Sequence, residues 1–208
     1  MVNHLHAGDL PEGLDLGPVV AIDCETMGLV PSRDRLCLVQ LSGGDGEAHL
    51  VQVGRQVGRD GREAPNLRRL LADPDRLKLF HFGRFDIAVL LHRFGVLAAP
   101  VYCTKIASRL ARTYTDRHGL KHLVQEMLDI DLSKQQQTSD WGVEALSQAQ
   151  IDYAASDVRH LHRLREELDR RIAREGRTVL AAACFDFLPH RAALDLAGWE
   201  ATDIFAHS

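Results

Sequence analysis

Val19-Val20-Ala21-Ile22-Asp23-Cys24-Glu25-Thr26 is the stretch whose reading decides the architecture. Its apolar, β-branched opening has the character of a buried strand, expected over Val19 to Asp23. Side chains on a strand alternate faces with a period of two, so Asp23 and Glu25 point the same way. Two carboxylates thus share one side of the end of a core strand.

Further β-like runs follow at Leu36 to Ser42, His49 to Val53, Leu77 to Phe82 and Pro100 to Cys103. Gly43-Gly44-Asp45-Gly46 supplies a turn between the second and third strands. The later strands alternate with helical patterns at 66–72, 84–94, 104–113 and 119–128. A long helix is expected over 147–174, opened by a Ser147/Gln150 capping box and striped by Ile151, Ala154, Val158, Leu161, Leu164, Leu168 and Ile172. Between Gly54 and Pro65 the glycine- and charge-rich chain has no apolar period and reads as an exposed loop. The apolar segment after Gly176 reads as further helix. Residues 1–175 are expected to form one α/β domain, with 176–208 a helical extension packed on it or at a dimer contact.

The 208 residues carry 25 Lys+Arg against 29 Asp+Glu, a formal net charge of -4. That balance disfavours a coat protein that binds duplexes through general basicity. No apolar run approaches the roughly 20 residues of a membrane-spanning helix, and Met1 to His6 lacks a secretory leader pattern. The expectation is a cytoplasmic protein without a membrane partner. Cys24, Cys37, Cys103 and Cys184 are widely spaced, form no CxxC pair and read as reduced core residues.

Two more stretches complete the chemistry. His81-Phe82-Gly83-Arg84-Phe85-Asp86 brings a third acid, and Tyr153-Ala154-Ala155-Ser156-Asp157 places a phenol and a fourth acid at i and i+4, one turn apart on a helix face. Carboxylates without cysteine or histidine at ligand spacing suit hard cations, Mg2+ or Mn2+. Two such ions about 4 Å apart satisfy the needs of phosphodiester hydrolysis. Asp23 is the natural bridging ligand, Glu25 and Asp157 complete one ion's shell, and Asp86 holds the second directly or through water. Tyr153 orients the attacking water, because a phenol with an ordinary pKa of about 10 is not the base.

Asp23-x-Glu25-Thr26, His81-x-x-x-Phe85-Asp86 and Tyr153-x-x-x-Asp157 resemble the three exonuclease motifs of the DEDD superfamily, tyrosine branch, and the chain is most similar to the ribonuclease D family. The likeness runs from about Val19 to about Leu168 and takes in Leu36 to Leu41 and Ser139-Asp140-Trp141. It implies a ribonuclease H-like fold with a central mixed sheet of five strands flanked by helices. It implies 3′ to 5′ removal of nucleoside monophosphates from single-stranded RNA, with a deoxyribonuclease or a noncatalytic nucleic-acid-binding module as alternatives. By position, Asp23, Glu25, Asp86 and Asp157 become metal ligands and Tyr153 the water-orienting phenol. Thr26, Met27, Gly28 and Leu29 then line the terminal nucleotide's pocket, with Leu29 a wedge beside the last base and Phe85 a stacking group, or both core residues. His81 stands where many relatives have asparagine and Met27 where threonine is frequent, both at the terminal sugar. A histidine branch would place its base at position 152, which is Asp. Longer relatives carry helical (HRDC) domains after the nuclease, and a short form without them is expected here, as monomer or homodimer.

Lys105, Arg109 and Arg112 follow i, i+4, i+7 in the most basic window and read as a phosphate-contacting helix face, or as a solvated one. Gln135 to Trp141 is expected to border the cleft, with Trp141 packed beneath.

Overall fold

The computed structural model describes residues 2–54, 63–133 and 135–207. Six strands form one mixed sheet: β1 (Asn3–Ala7), β2 (Val19–Thr26), β3 (Leu36–Ser42), β4 (Ala48–Gln52), β5 (Leu77–Phe80) and β6 (Val101–Cys103), in the order β1-β4-β3-β2-β5-β6. The helices are α1 (Pro65–Ala72), α2 (Arg84–Phe94), α3 (Thr104–Ala111), α4 (Leu120–Leu128), α5 (Gln148–Arg159), α6 (Leu161–Arg174) and α7 (Thr178–Leu194), followed by a π-helical turn over Asp195–Trp199.

The sheet therefore has six strands, not the expected five. The extra one, β1, pairs in parallel with β4 at the edge. Its sequence, Asn-His-Leu-His-Ala, has one large apolar residue, Leu5, and edge strands need no second buried face. Hydrophobicity alone did not reveal it. β2 lies inside, antiparallel to β3 and parallel to β5, and is buried from Val20 to Ile22 because both faces of the sheet are covered.

One core lies between the sheet and α1 and α2, built on Ile22, Val39, Leu41, Val51, Leu67, Leu71, Ile87 and Leu90. The other lies beneath α3 to α6, with Ala21, Leu38, Leu50, Leu79, Ala154, Val158, Leu164 and Leu168. The Ser147/Gln150 capping box opens α5 as expected. The expected single helix over 147–174 is two, broken at His160 (φ -100°, ψ -4°), and the apolar stripe continues across the break with Leu161, Leu164, Leu168 and Ile172 buried. The break leaves Tyr153 and Asp157 on α5 while α6 turns to follow α3.

The helix expected over 104–113 stops at Ala111. Most of the loop expected from Gly54 to Pro65 lies outside the described residues. α7 packs on α2 and β6 through Ala181, Leu188 and Ala192, with the Phe185 ring 4.3 Å from that of Tyr102. Val179, Leu180, Trp199, Ile204 and Phe205 remain exposed. Among the described residues no helix is long and apolar enough to cross a membrane.

Candidate active site

β2 ends at a register shift between Glu25 and Thr26, where the pairing with β3 slips by one residue. A bulge re-aims side chains locally, here at the point where the strand delivers its acids. α5 crosses the same sheet face and brings Asp157. One carboxylate oxygen from each of Asp23, Glu25 and Asp157 lies within 4.8 Å of the others. They line a cleft of about 320 Å³ together with His81, Phe82, Lys105, Gly119 to Lys121, Leu132, Ser133, Gln137 and Tyr153.

Like charges packed away from water hold on to protons. Burial pushes Asp23 up to about 7, and burial with the charges of Asp23, Asp157 and Asp86 pushes Glu25 up to about 10. Asp157 is held well above the carboxylate range by burial and then by Asp23. Among the described residues no lysine or arginine forms an ion pair with these acids, and oxygen donors at this spacing fit one or more hard divalent ions. The residues thus suit Mg2+ or Mn2+.

Asp86 sits deeper than the others. It is 4 % exposed, does not line the cleft, and accepts hydrogen bonds from the thiol and backbone N–H of Cys24. Burial and Asp23 raise its pKa well above the ordinary value. Tyr153 is half-buried over Trp141, ring centroids 6.0 Å apart. Burial, and then the charge of Asp157, raise the phenol's pKa, so it stays protonated. Trp141 is buried, and Gln137 from the same polar loop reaches the cleft wall.

The segment after the first acids is held by its own contacts. The Thr26 hydroxyl donates to the Gly28 carbonyl, so it is committed within the loop. A Cβ on Gly28 would lie 2.2 Å from an Asp34 carboxylate oxygen that accepts from the Val30 N–H, so only glycine fits there without moving that tether. Met27 is exposed and Leu29 is 85 % exposed, outside the cleft lining.

Of the two readings of Phe85, stacking group or core residue, the structure matches the core one. Phe85, in the first turn of α2, packs against the core, whereas Phe82, three residues earlier, is 47 % exposed in the cleft with φ of 64°. A positive φ on a bulky residue costs free energy and marks a functional site often enough to notice. The motif His81 to Asp86 contains Phe82, but nothing in spacing alone showed which phenylalanine the turn would expose.

Arg112 is fully buried, past the end of α3, and donates to Ser108 Oγ, the Arg117 carbonyl and the Glu126 carboxylate. Its i+7 spacing failed as a surface signal because the helix ends one residue before it. Lys105 does face the cleft, its ammonium 4.2 Å from the centre of the Phe82 ring. Arg109 is exposed outside the cleft lining. Lys121, which also lines the cleft, pairs with Asp131 at 3.0 Å.

His81 Nδ1 lies 2.9 Å from Thr104 Oγ1, and that hydroxyl donates to the Phe80 carbonyl at 3.2 Å. The single hydroxyl proton being used, Nδ1–H must be the donor, which leaves Nε2 as the acceptor of the neutral ring. Burial, then Lys105, lowers the His81 pKa to about 3.

Residues 7–173 match the 3′-5′ exonuclease family. Over its full length the chain is similar to the solved structure of Brucella melitensis NrnC with bound Mg2+, 55% identical, TM-score 0.94, covering 100% of both chains. It is similar to the same degree, 56% identical with TM-score 0.94 over 100% of both chains, to Brucella melitensis NrnC bound to pGG. Among curated relatives, ribonuclease D of Granulibacter bethesdensis is 38% identical over 160 residues, 77% of this chain. The chain spans about two fifths of that relative's length (39%).

Proposed function

Since the chain belongs to the 3′-5′ exonuclease family, we propose that it hydrolyses the terminal phosphodiester at RNA 3′ ends and releases nucleoside 5′-monophosphates. The observation that carries this reading is the meeting of Asp23, Glu25 and Asp157 in a cleft whose wall holds Tyr153. Binding of a polyanion alone gains nothing from clustered acids. Hydrolysis does.

In this reading Asp23, Glu25 and Asp157 would hold a divalent ion, and Asp86, one layer behind, would help to hold a second. Such ions, when bound, neutralise the non-bridging phosphate oxygens and make water a stronger acid. The chain's own groups do the rest. The Tyr153 hydroxyl, kept protonated and hydrogen-bonded to Asp157, presents its oxygen to a water and fixes its approach to phosphorus. Lys105 balances phosphate charge, and the exposed Phe82 ring offers a face on which the terminal base stacks. Leu29 closes the other side of the base as a wedge, with Met27 beside it. Arg109, outside the cleft, meets the chain upstream.

RNA is favoured over DNA by His81. A neutral imidazole with Nε2 free to accept suits a ribose hydroxyl donor, and the 2′-hydroxyl is what separates the two polymers. At about 320 Å³ the cleft lies at the small end of the roughly 300–1,000 Å³ range of ligand pockets. It suits the last one or two nucleotides, and its relative NrnC is bound to pGG. The proposed substrates are therefore short single-stranded RNAs, down to dinucleotides.

The test is release of GMP from pGG and of dGMP from its deoxy counterpart with Mg2+ at equal concentrations. Faster cleavage of the ribose form supports the reading. Equal or faster cleavage of the deoxy form overturns the assignment of RNA and leaves the exonuclease chemistry standing.

A further inference from the structure

The edge strand missed by the sequence carries a second cluster of ligand-type side chains. His4 pairs with His49, His49 with Leu41 and Leu41 with Ile22, one row across the sheet. Leu5, Leu50, Gln40 and Asp23 make the next row. Adjacent rows face opposite sides of a sheet, so His4 and His49 lie on the face away from the acids of the cleft. His6, two residues after His4, shares their face.

The three imidazoles are stacked almost parallel. His4 and His49 centroids are 4.6 Å apart at 15°, and His6 and His49 are 5.3 Å apart at 7°. Glu47, just before β4, places a carboxylate oxygen 2.9 Å from His4 Nε2, and His6 Nε2 lies 3.0 Å from His49 Nδ1. One ligand atom from each of His4, Glu47 and His49 falls within 4.8 Å of the others. We propose that His4, Glu47 and His49 form a cation site separate from the cleft, selective for a first-row divalent transition ion such as Zn2+.

Two features favour a ligand set over a chance pairing. A half-exposed His–Glu pair is worth only about 0–1 kcal/mol, whereas a bound ion draws on all three donors of His4, Glu47 and His49, which already lie within 4.8 Å of one another. The His6 contact at Nδ1 of His49 also orients that ring, as the outer partners of metal-bound histidines do. Mixed imidazole and carboxylate donors select Zn2+, Ni2+ or Cu2+ over Mg2+. The all-oxygen cleft selects the reverse. Because His4 is on β1 while Glu47 and His49 belong to the β4 side, a bound ion ties the N-terminal edge strand to the sheet and leaves a fourth position open to solvent.

The probe is Co2+ titrated into the tag-free full chain carrying Asp23→Asn, which weakens the cleft, with visible absorption as the readout. One equivalent should give intense bands that Zn2+ abolishes and excess Mg2+ does not. His4→Ala and His49→Gln should lose the bands, His6→Ala should weaken Co2+ binding about 10- to 100-fold, and His160→Ala should leave it unchanged. His4 lies on an exposed edge, so His4→Ala is decisive if His49→Gln fails to fold, with circular dichroism checking both. Unchanged bands in His4→Ala, or bands that Mg2+ removes, would overturn the site.

Discussion

A carboxylate oxygen of Asp23, at the end of a central strand, lies within 4.8 Å of one from Asp157, on a helix more than a hundred residues later. Burial, joined at Asp157 by the charge of Asp23, keeps protons on this pair at pH values where free carboxylates are ionised. The fold therefore stores an unfavourable electrostatic arrangement that a cation relieves.

The first prediction concerns metal-free protein. Asp23 and Glu25 titrate near 7 and 10 when folded and near 4 when unfolded, so the folded state holds protons that the unfolded chain releases. Their contribution to stability is complete below about pH 4 and is lost as pH rises through 7 and on toward 10. Chelated protein should melt lower at pH 8 than at pH 6. Mg2+ at about a hundred times its Kd should restore about 2.7 kcal/mol, or about 5–10 °C at 2–4 °C per kcal/mol. Asp23→Asn should melt above the parent in chelator at pH 8 and lose most of the Mg2+ shift.

Tyr153→Phe removes the hydroxyl and keeps the ring over Trp141. We expect turnover to fall about 10²-fold or more while the Mg2+-induced rise in Tm is retained. Loss of both together would mean that Tyr153 supports the metal site and does not act on water.

His81 reports from the acid side. Its folded pKa near 3 lies below the ordinary 6.5, so the unfolded chain takes up a proton that the folded chain refuses. Stability should fall as pH drops from about 6.5 toward 3, and His81→Gln should flatten that limb of a urea-unfolding series. Nuclear magnetic resonance should show no titration of the His81 ring between pH 5 and 8.

Lys105 and Arg112 separate binding from folding. Lys105→Ala should weaken RNA binding and lower the slope of log K against log[salt] by about 0.7, the single-strand value per phosphate contact. Arg112→Ala removes the guanidinium that donates to Ser108, Arg117 and Glu126 and should cost about 1–3 kcal/mol of stability. Its salt slope should match the parent's.

What the sequence revealed follows from how local each signal was. The strand ending in Asp23 and Glu25, the i, i+4 pair of Tyr153 and Asp157 and the Ser147/Gln150 cap are set by periods of two and of 3.6 residues and by one short-range hydrogen-bond pattern, so they were legible. β1 was not, because an edge strand with a single apolar residue has no period to detect and takes its partner from β4, some forty residues away. Phe82 was passed over for Phe85 because a positive φ leaves no trace in composition. Arg112 was misread because a helix end one residue earlier turns a surface position into an interior one.

The most direct test of the central claim is digestion of an RNA oligonucleotide labelled at its 5′ end in one sample and its 3′ end in another, with Mg2+, with chelator, and with Asp23→Asn. We predict mononucleotide as the first product from the 3′ label, a ladder shortening one step at a time from the 5′ label, and neither in chelator or in the variant. Internal fragments from the earliest time points, or undiminished cleavage by Asp23→Asn, would contradict it.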